Sequence, residues 1–456
     1  MLFCTALLLL PGSAAAHGLV GRLDLPVPQW LFAWTAAVVL VVSFIGLSVG
    51  WNEPRLERDR STETTEDRAP RWLRNAAGAV GVLTFVVVVA AGVFGEQDPT
   101  RNLAPTFVYV VFWVGIPLIS LLLGDVFNAF NPWRTVARAL RFDESGTARA
   151  YPAKVGRYPA AATVVVFAWI ELAAPFGDEP RVVALLALGY FVTQLWGMRR
   201  YGVEPWTRRA DGFAVAFSLI GSMAPVHWRD GRLGIRPPLV GLAAAATPRG
   251  TLAVLAAMIG TTSFDGASQG GLWTSFAPDV VSWMSDLGLG EATTRAIVDT
   301  LGIAFCIALI LVLYRLAISG MATMRPGVDR AKLAERFAHS LVPIALAYVL
   351  AHYFSLVVFQ GQALGFMISD PFATGSDLFG TADAGVDLTA VSTSVIWYVQ
   401  VGALVVGHVA GLVLAHDRSL AVFRNHRDAV RSQYWMLAVM VGYTCLGLWL
   451  LSAIGT

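Results

Sequence analysis

The chain has 456 residues, of which 56% are hydrophobic and only 14% charged, and its mean hydropathy is +0.61. Charged residues make up about 25% of an ordinary soluble protein, so this composition excludes a soluble globular domain. The net charge of +2 gives no global basis for binding a nucleic acid. We therefore expect an integral membrane protein that contacts membrane lipid and has no nucleic-acid partner.

The N-terminus has the pattern of a cleaved export signal. An apolar run over residues 2–10 is followed by Pro-Gly-Ser-Ala-Ala-Ala, which ends in an A-x-A cleavage site after Ala16. The basic residues that usually precede such a run are missing. The pattern predicts a signal peptide over residues 1–16 and a mature chain, 17–456, that begins at His17 and forms a single transmembrane helical domain.

Ten further apolar segments are candidates to cross the roughly 30 Å of hydrocarbon in a bilayer, because a helix rises about 1.5 Å per residue. They predict an all-α fold, a polytopic bundle of about ten transmembrane helices. The segments are 29–50, 76–95, 105–124, 159–176, 181–198, 249–264, 294–318, 338–361, 393–416 and 432–452.

The loops between these segments alternate in charge, which predicts the orientation of the chain. Arginine and lysine collect in alternate loops, as in the first loop with Arg55, Arg58, Arg60, Arg68, Arg71 and Arg74. The opposite loops are rich in acids, such as Glu96 and Asp98. Because basic loops remain in the cytoplasm, we expect a multi-pass protein of the cytoplasmic membrane with both mature termini outside.

Two predicted cytoplasmic segments are more than linkers. In residues 131–141, Asn131 is a plausible N-cap, Pro132 occupies the first helical position, and apolar and arginine side chains fall on opposite faces. This pattern predicts an interfacial helix on anionic lipid. The loop segment 199–248 contains an apolar stretch, 211–224, that is too short to span the membrane. We expect this stretch to be either re-entrant or packed beneath the bundle. A turn is predicted after it, at Asp230 and Gly231.

Histidines in two successive spans are candidate metal ligands. His352 lies in the eighth span and His408 in the ninth, and neighbouring helices are a usual way to bring ligands together in a bundle. Neutral imidazole suits transition metals and haem iron, so a divalent metal or a haem is one interpretation. The alternative is a pair of buried histidines that are hydrogen-bonded to neighbouring helices.

Three carboxylates are the other candidates for chemistry, because an ionisable group inside a bilayer is costly. Asp265 ends the sixth span in the segment 261–266, which suits either a ligand pocket or a plain helix end. Glu171 has apolar neighbours, so it must be paired or protonated, and it could serve as a general base or in a proton relay. Asp299 lies near the outer end of the seventh span.

A mature chain that begins at His17 would offer an amine and an imidazole to one metal ion, a chelate that copper favours. The chain also has no Walker A run, His-Glu-x-x-His motif or dinucleotide fingerprint. ATP and NAD chemistry of the soluble type is therefore disfavoured.

Several segments together resemble a family of actinobacterial polytopic membrane proteins labelled fenitrothion hydrolase. The matching stretches run from one end of the chain to the other. They are Ala16-His-Gly-Leu-Val-Gly-Arg-Leu-Asp-Leu-Pro-Val-Pro28, Trp30-Leu-Phe-Ala-Trp34, Asn131-Pro-Trp-Arg134, Asp230-Gly-Arg-Leu, Arg236-Pro-Pro-Leu239, Thr262-Ser-Phe-Asp-Gly266, Arg431-Ser-Gln and Trp435-Met-Leu-Ala438.

The resemblance implies hydrolysis of an apolar organophosphorus ester at an outward-facing pocket, with water displacing the leaving group from phosphorus. Such chemistry usually needs one or two metal ions held by His and Asp, for which His352, His408 and Asp265 are the candidates. Two other functions remain open. One is a proton-coupled transporter or permease that uses Glu171, Asp299 and the histidines; the other is a haem- or copper-binding membrane subunit.

Overall fold

The computed structural model describes residues 29–57, 69–146, 148–229, 232–423 and 425–452. The expected signal peptide, His17 and the expected turn at Asp230 and Gly231 lie outside these ranges. Within them, the regular secondary structure is helical apart from one antiparallel hairpin, and loops connect these elements. The predicted all-α class is therefore confirmed.

The first half of the chain forms ten α-helices with a π-helical stretch and a short 3₁₀ turn. They are α1 (Gln29–Gly50), α2 (Arg71–Phe94), α3 (Leu103–Thr106), the π-helix Phe107–Gly115, α4 (Ile116–Leu123), α5 (Val126–Phe130), α6 (Pro132–Ala139), the 3₁₀ turn Phe142–Ser145, α7 (Tyr158–Leu172), α8 (Pro180–Tyr201), α9 (Val203–Thr207) and α10 (Gly212–Gly221).

The second half begins with the hairpin and continues with helices to the end of the described chain. Its elements are β1 (Val226–Arg229), β2 (Arg232–Ile235), α11 (Val240–Ala244), α12 (Thr251–Ser268), α13 (Gly271–Asp286), α14 (Glu291–Ala322), α15 (Arg330–Phe337), the 3₁₀ turn Ala338–Leu341, α16 (Val342–Ser369), α17 (Thr393–Val422), α18 (His426–Ser432) and α19 (Tyr434–Ser452). In the hairpin, Val226 pairs with Ile235 and Trp228 with Leu233.

Six helical segments of the described chain are long and apolar enough to cross a membrane. They are Arg71–Phe94, Leu103–Leu123, Pro180–Tyr201, Glu291–Ala322, Arg330–Ser369 and Thr393–Val422. The chain thus has the architecture of a multi-pass membrane protein, and all ten predicted segments lie in helices, but the count of about ten spans is not confirmed. Among the others, α7 has only 15 residues, and α12 carries Asp265 and several hydroxyl residues.

The basic and acidic loops lie at opposite ends of the bundle. Arg418, near the end of α17, forms an ion pair with Glu57 in the loop after α1. At the other end, the backbone N–H of Glu96, after α2, donates to the carbonyl of Phe372, after α16, over 3.1 Å. We call these the basic end and the acidic end.

The loop after α1 is fastened to α17 by a buried carboxylate. Asp417, which is 1% exposed, accepts hydrogen bonds from the Trp51 indole at 3.0 Å and from the backbone N–H of Arg55 at 2.6 Å. It also accepts from the backbone N–H groups of Leu56 and Glu57, at 3.2 and 3.1 Å. Four donors around one carboxylate compensate the cost of burying its charge.

Helix α6 is capped by the Asn131 side chain, which accepts a hydrogen bond from the backbone N–H of Arg134 at 2.9 Å. Its arginines meet a carboxylate on α9: Glu204 contacts Arg134 at 2.7 Å and Arg138 at 2.5 Å. Partial burial raises the pKa of Glu204, but Arg134 and then Arg138 outweigh this effect and lower it to about 2. The ion pairs therefore connect α6 to α9 at the basic end.

Helix α12 lies in the core of the bundle, between α7, α14 and α16. Small residues let the helices approach closely. A Cβ atom at Gly260 would lie 2.7 Å from the Cα atom of Ile307 on α14, and one at Gly407 would lie 2.7 Å from the Pro343 carbonyl on α16. Larger side chains at these positions would push the helices apart, as is typical of membrane bundles.

Candidate functional site

A buried ionisable contact joins α12 to α16. Asp265 is fully buried and His352 is 4% exposed, and His352 Nε2 lies 2.7 Å from Asp265 Oδ2. An ionised side chain in the centre of a bilayer costs on the order of 2.5–3.5 kcal/mol on insertion scales. A partner at hydrogen-bond distance offsets that cost, so the two residues depend on each other.

A tyrosine completes this contact. The Tyr353 hydroxyl donates to the same Asp265 oxygen at 2.7 Å, and Trp113 of the π-helix lies beside that hydroxyl. Consecutive residues of a helix point about 100° apart, so His352 and Tyr353 reach Asp265 from two sides. Their rings meet edge to face at 4.7 Å between centroids. We call Asp265, His352 and Tyr353 the Asp265 cluster.

The other two predicted carboxylates have different surroundings. Glu171, in the last turn of α7, acts electrostatically on Tyr353 and so belongs to the periphery of the Asp265 cluster. Asp299 interacts instead with Arg295 on its own helix and with Trp273 on α13. The structure therefore brings Glu171 towards Asp265 and places Asp299 in a separate contact at the acidic end.

His408 does not share a site with His352. Its Nδ1 lies 2.8 Å from the carbonyl of Leu404, and its ring lies 6.2 Å from that of Tyr348. Because α16 and α17 run antiparallel with Gly407 against Ala347, His408 is level with Tyr348, one turn from His352 towards the basic end. It lines a cavity of about 50 Å³.

A second polar group of side chains adjoins the first along α12 and α16. Ser263 Oγ and the Tyr443 hydroxyl lie 2.6 Å apart, and the Tyr443 ring stacks on that of Tyr348 at 5.3 Å. We call Ser263, Tyr348 and Tyr443 the Tyr443 cluster. Ser263 precedes Asp265 by two residues and Tyr348 precedes His352 by four, so the two clusters form a polar row inside the bundle.

The donor atoms of this row do not fit a conventional metal site. Across the described ranges, no three His, Cys, Asp or Glu side chains come close enough together to hold a metal ion. The Asp265 cluster offers one imidazole and one carboxylate, which contact each other. The cavity beside His408 is far too small for a porphyrin, and His17 lies outside the described residues.

Comparison of the chain with protein-family models, curated proteins and solved structures finds no match. The resemblance to fenitrothion hydrolases therefore stays a prediction. Three residues of the two clusters, Tyr348, Tyr353 and Tyr443, were not among the sequence candidates. The only signal for Tyr353 was its position next to His352, and no local pattern distinguished Tyr348 or Tyr443 from the other aromatic residues of the apolar segments.

Proposed function

We propose that this protein is a proton-coupled membrane transporter whose coupling group is the Asp265–His352 pair. The observation that carries the proposal is the 2.7 Å contact between a carboxylate and an imidazole, both buried, on two core helices of a membrane bundle. Ionisable residues at such depth typically belong to proton or solute pathways. Histidine also exchanges protons in the physiological pH range.

Protonation would change the link between α12 and α16. With Asp265 ionised, its carboxylate attracts a protonated His352 and accepts a strong hydrogen bond from Tyr353. A proton added to Asp265 removes the negative charge and weakens both contacts. The two helices then separate more easily, and solute binding that favours the separated state is coupled to proton uptake.

The neighbouring groups define how a proton reaches the pair. Glu171 is the ionisable group on α7 that interacts with Tyr353, and it lies towards the acidic end. The Tyr443 cluster lies towards the basic end and contributes hydroxyl groups that can both donate and accept hydrogen bonds. We expect the proton to travel along this row, past the Asp265 cluster.

A second candidate is hydrolysis of an apolar organophosphorus ester without a metal ion. A carboxylate that contacts an imidazole is the arrangement that orients a general base in many hydrolases. The free edge of the His352 ring faces Gly266: a Cβ atom there would lie 3.6 Å from Nδ1, so the glycine leaves space beside this nitrogen. His352 would accept a proton from a water molecule that attacks phosphorus, while the bond from phosphorus to the ester's leaving oxygen breaks and that group departs as the alcohol or phenolate.

The experiment that separates the two functions uses purified protein in liposomes that enclose a pH-sensitive dye. The vesicles are exposed to an organophosphorus ester and to a panel of apolar and amphiphilic solutes, while proton movement and product release are recorded together. We expect solute-driven proton movement that Asp265→Asn abolishes, with no ester cleavage. Ester cleavage that requires His352 without proton movement would favour the hydrolase, and a panel without any proton movement would contradict transport.

Asp299→Asn is the matched control. It removes a carboxylate from a spanning helix, but Asp299 contacts Arg295 and Trp273 and not the Asp265 cluster. Proton movement should therefore persist in this variant. Equal loss in Asp265→Asn and Asp299→Asn would point to general damage of the bundle.

A further inference from the structure

A small cavity lies beside His408, towards the basic end of the bundle. Its volume is about 50 Å³, enough for a single ion or for one or two very small molecules. Most of its wall is aliphatic, with side chains such as Ile259 of α12, Ile310 of α14 and Ile344 of α16. Cavities with purely apolar walls stay dry, so the few polar atoms at the surface decide what can occupy this one.

The His408 imidazole contributes a nitrogen lone pair to this cavity. His408 is fully buried, and its Nδ1 lies 2.8 Å from the Leu404 carbonyl, one turn earlier on α17. Because a carbonyl only accepts hydrogen bonds, this contact puts the ring proton on Nδ1 and leaves the lone pair on Nε2. Nε2 is buried and has no hydrogen-bond partner among the described residues. Metal-binding histidines typically have this arrangement, in which one nitrogen donates to a carbonyl and the other binds the ion.

Two methionines of α19 line the same cavity. Met436 and Met440 are 4% and 7% exposed, and their spacing of four residues puts them on one face of the helix. Methionine is unbranched and has three rotatable bonds, so its thioether can turn towards an occupant. The cavity therefore combines one imidazole nitrogen with two thioether sulfur atoms. Soft sulfur ligands of this kind select Cu(I).

The hydroxyl groups at the cavity have already used their hydrogens. Tyr314 and Ser340 each donate to a backbone carbonyl at 2.8 Å. Ser263 also donates to a carbonyl, so the Tyr443 hydroxyl is the donor in its contact with Ser263. These side chains offer an occupant lone pairs and no free polar hydrogen. That environment suits a cation, whereas a water molecule, which typically makes about three hydrogen bonds, would find nothing there to accept from.

The same set of ligands limits the charge of the ion. The described residues that line the cavity include no carboxylate and no thiol. Neutral ligands do not cancel the charge of an ion, and the cost of burying an ion rises with the square of its charge. A monovalent ion therefore fits this cavity better than a divalent ion such as Zn²⁺. Cu(I) is both soft and monovalent.

We propose that His408, Met436 and Met440 form a Cu(I)-binding site between α17 and α19. Its ligands are the Nε2 lone pair and the two sulfur atoms. The site differs from a joint site of the two histidines, because His352 contacts the Asp265 cluster instead. The inference does not rest on the proposed proton coupling, since none of the three ligands belongs to the Asp265 cluster or to the Tyr443 cluster.

The test is titration of the full chain in detergent with Cu(I), without oxygen and in competition with bicinchoninate, a coloured Cu(I) chelator. We expect one Cu(I) per chain, with sulfur and nitrogen ligands in its X-ray absorption spectrum, and no displacement by Zn²⁺. Loss of an outer-shell partner already costs about 10–100-fold in metal affinity, so loss of a ligand should cost at least about tenfold. We expect this loss in Met436→Leu, Met440→Leu and His408→Phe.

Met198→Leu is the matched control, because Met198 on α8 is also fully buried but does not line this cavity. Leucine and methionine have similar volumes, so these Met→Leu variants should fold. The double variant Cys306→Ser/Cys445→Ser removes the described thiols, which could hold Cu(I) by themselves. Both controls should bind Cu(I) as the wild type does. Asp265→Asn should also retain the ion, so copper binding and proton coupling can fail separately.

Thermal unfolding of every variant in detergent identifies those that fail to fold, and only folded variants enter the comparison. The proposal is overturned if the wild type retains no Cu(I) in competition with the chelator, which would leave water as the occupant of the cavity. It is also overturned if Met198→Leu weakens binding as much as Met436→Leu and Met440→Leu, or if the cysteine double variant loses the ion. In those cases Cu(I) is held elsewhere on the chain.

Discussion

Removing either partner of the Asp265–His352 contact alone should destabilise the protein strongly. Removing both partners should cost less than the sum of the two single losses. Asp265→Asn leaves the imidazole without its carboxylate, and His352→Gln removes the imidazole that contacts the buried Asp265 carboxylate. Breaking a buried pair in this way costs about 3–5 kcal/mol, chiefly because a buried charge loses its compensation. The double variant contains no such charge.

The expected magnitude of the coupling follows from the 2.7 Å contact and the complete burial of Asp265. Residues in direct contact couple by about 0.5–3 kcal/mol in double-mutant cycles, and a contact between buried ionisable groups belongs to the upper part of that range. We therefore expect a coupling energy of about 1.5–3 kcal/mol in the double-mutant cycle. Tyr353→Phe, which removes one donor to the same oxygen, should cost a similar amount.

The assay is reversible unfolding of the four proteins in mixed micelles with increasing denaturing detergent, followed by circular dichroism. The same cycle with Asp299→Asn in place of Asp265→Asn is the control, since Asp299 and His352 have no contact. Effects that add within about 0.5 kcal/mol for Asp265 and His352 would refute the reasoning, because that is the behaviour of independent sites.

Three further predictions concern packing and the basic end. Asp417→Asn should cost about 1.5–3 kcal/mol and expose the loop after α1 to limited proteolysis, because the backbone N–H groups of Leu56 and Glu57, which donate to Oδ2, would face an amide N–H group instead. Gly407→Leu should prevent close packing on Ala347 and lower the thermal midpoint, whereas Gly361→Leu, on an open face, should not. The Glu204 carboxyl, with its pKa lowered to about 2, stabilises the fold above pH ~4.5, and this contribution, on the order of 1–2 kcal/mol, disappears as pH falls towards 2. Stability of Glu204→Gln should lack that pH dependence; an unchanged profile would contradict the ion pair.

The sequence predicts the helices well because hydrophobic length is a local property. Each of the ten apolar segments lies in a helix, and Asn131 caps the helix that its pattern predicts. The number of spans is harder to predict, since α7 and α12 are short or polar in their own sequence and are covered by neighbouring helices. Whether such a helix crosses the membrane depends on packing, which a single segment does not encode.

The sequence indicates the individual residues of the site, but it does not indicate which of them contact each other. Asp265 and His352 stand out because each is an ionisable group in an apolar segment. Proximity in the chain favoured His408 as the partner of His352, but the close contact of Gly407 with Ala347 sets His408 level with Tyr348. The actual partner comes from α12, about 90 residues earlier in the chain. Contacts between distant helices depend on how their faces are oriented in the bundle.

The most direct test of proton coupling is infrared spectroscopy of the protein in lipid as a function of pH, recorded for wild type, Asp265→Asn and Asp299→Asn. If the Asp265–His352 pair exchanges a proton, the carboxylic-acid band of the wild type changes with pH. This change should be missing from Asp265→Asn and retained in Asp299→Asn. A wild-type spectrum without such a band, or one that is unchanged in Asp265→Asn, would contradict the account.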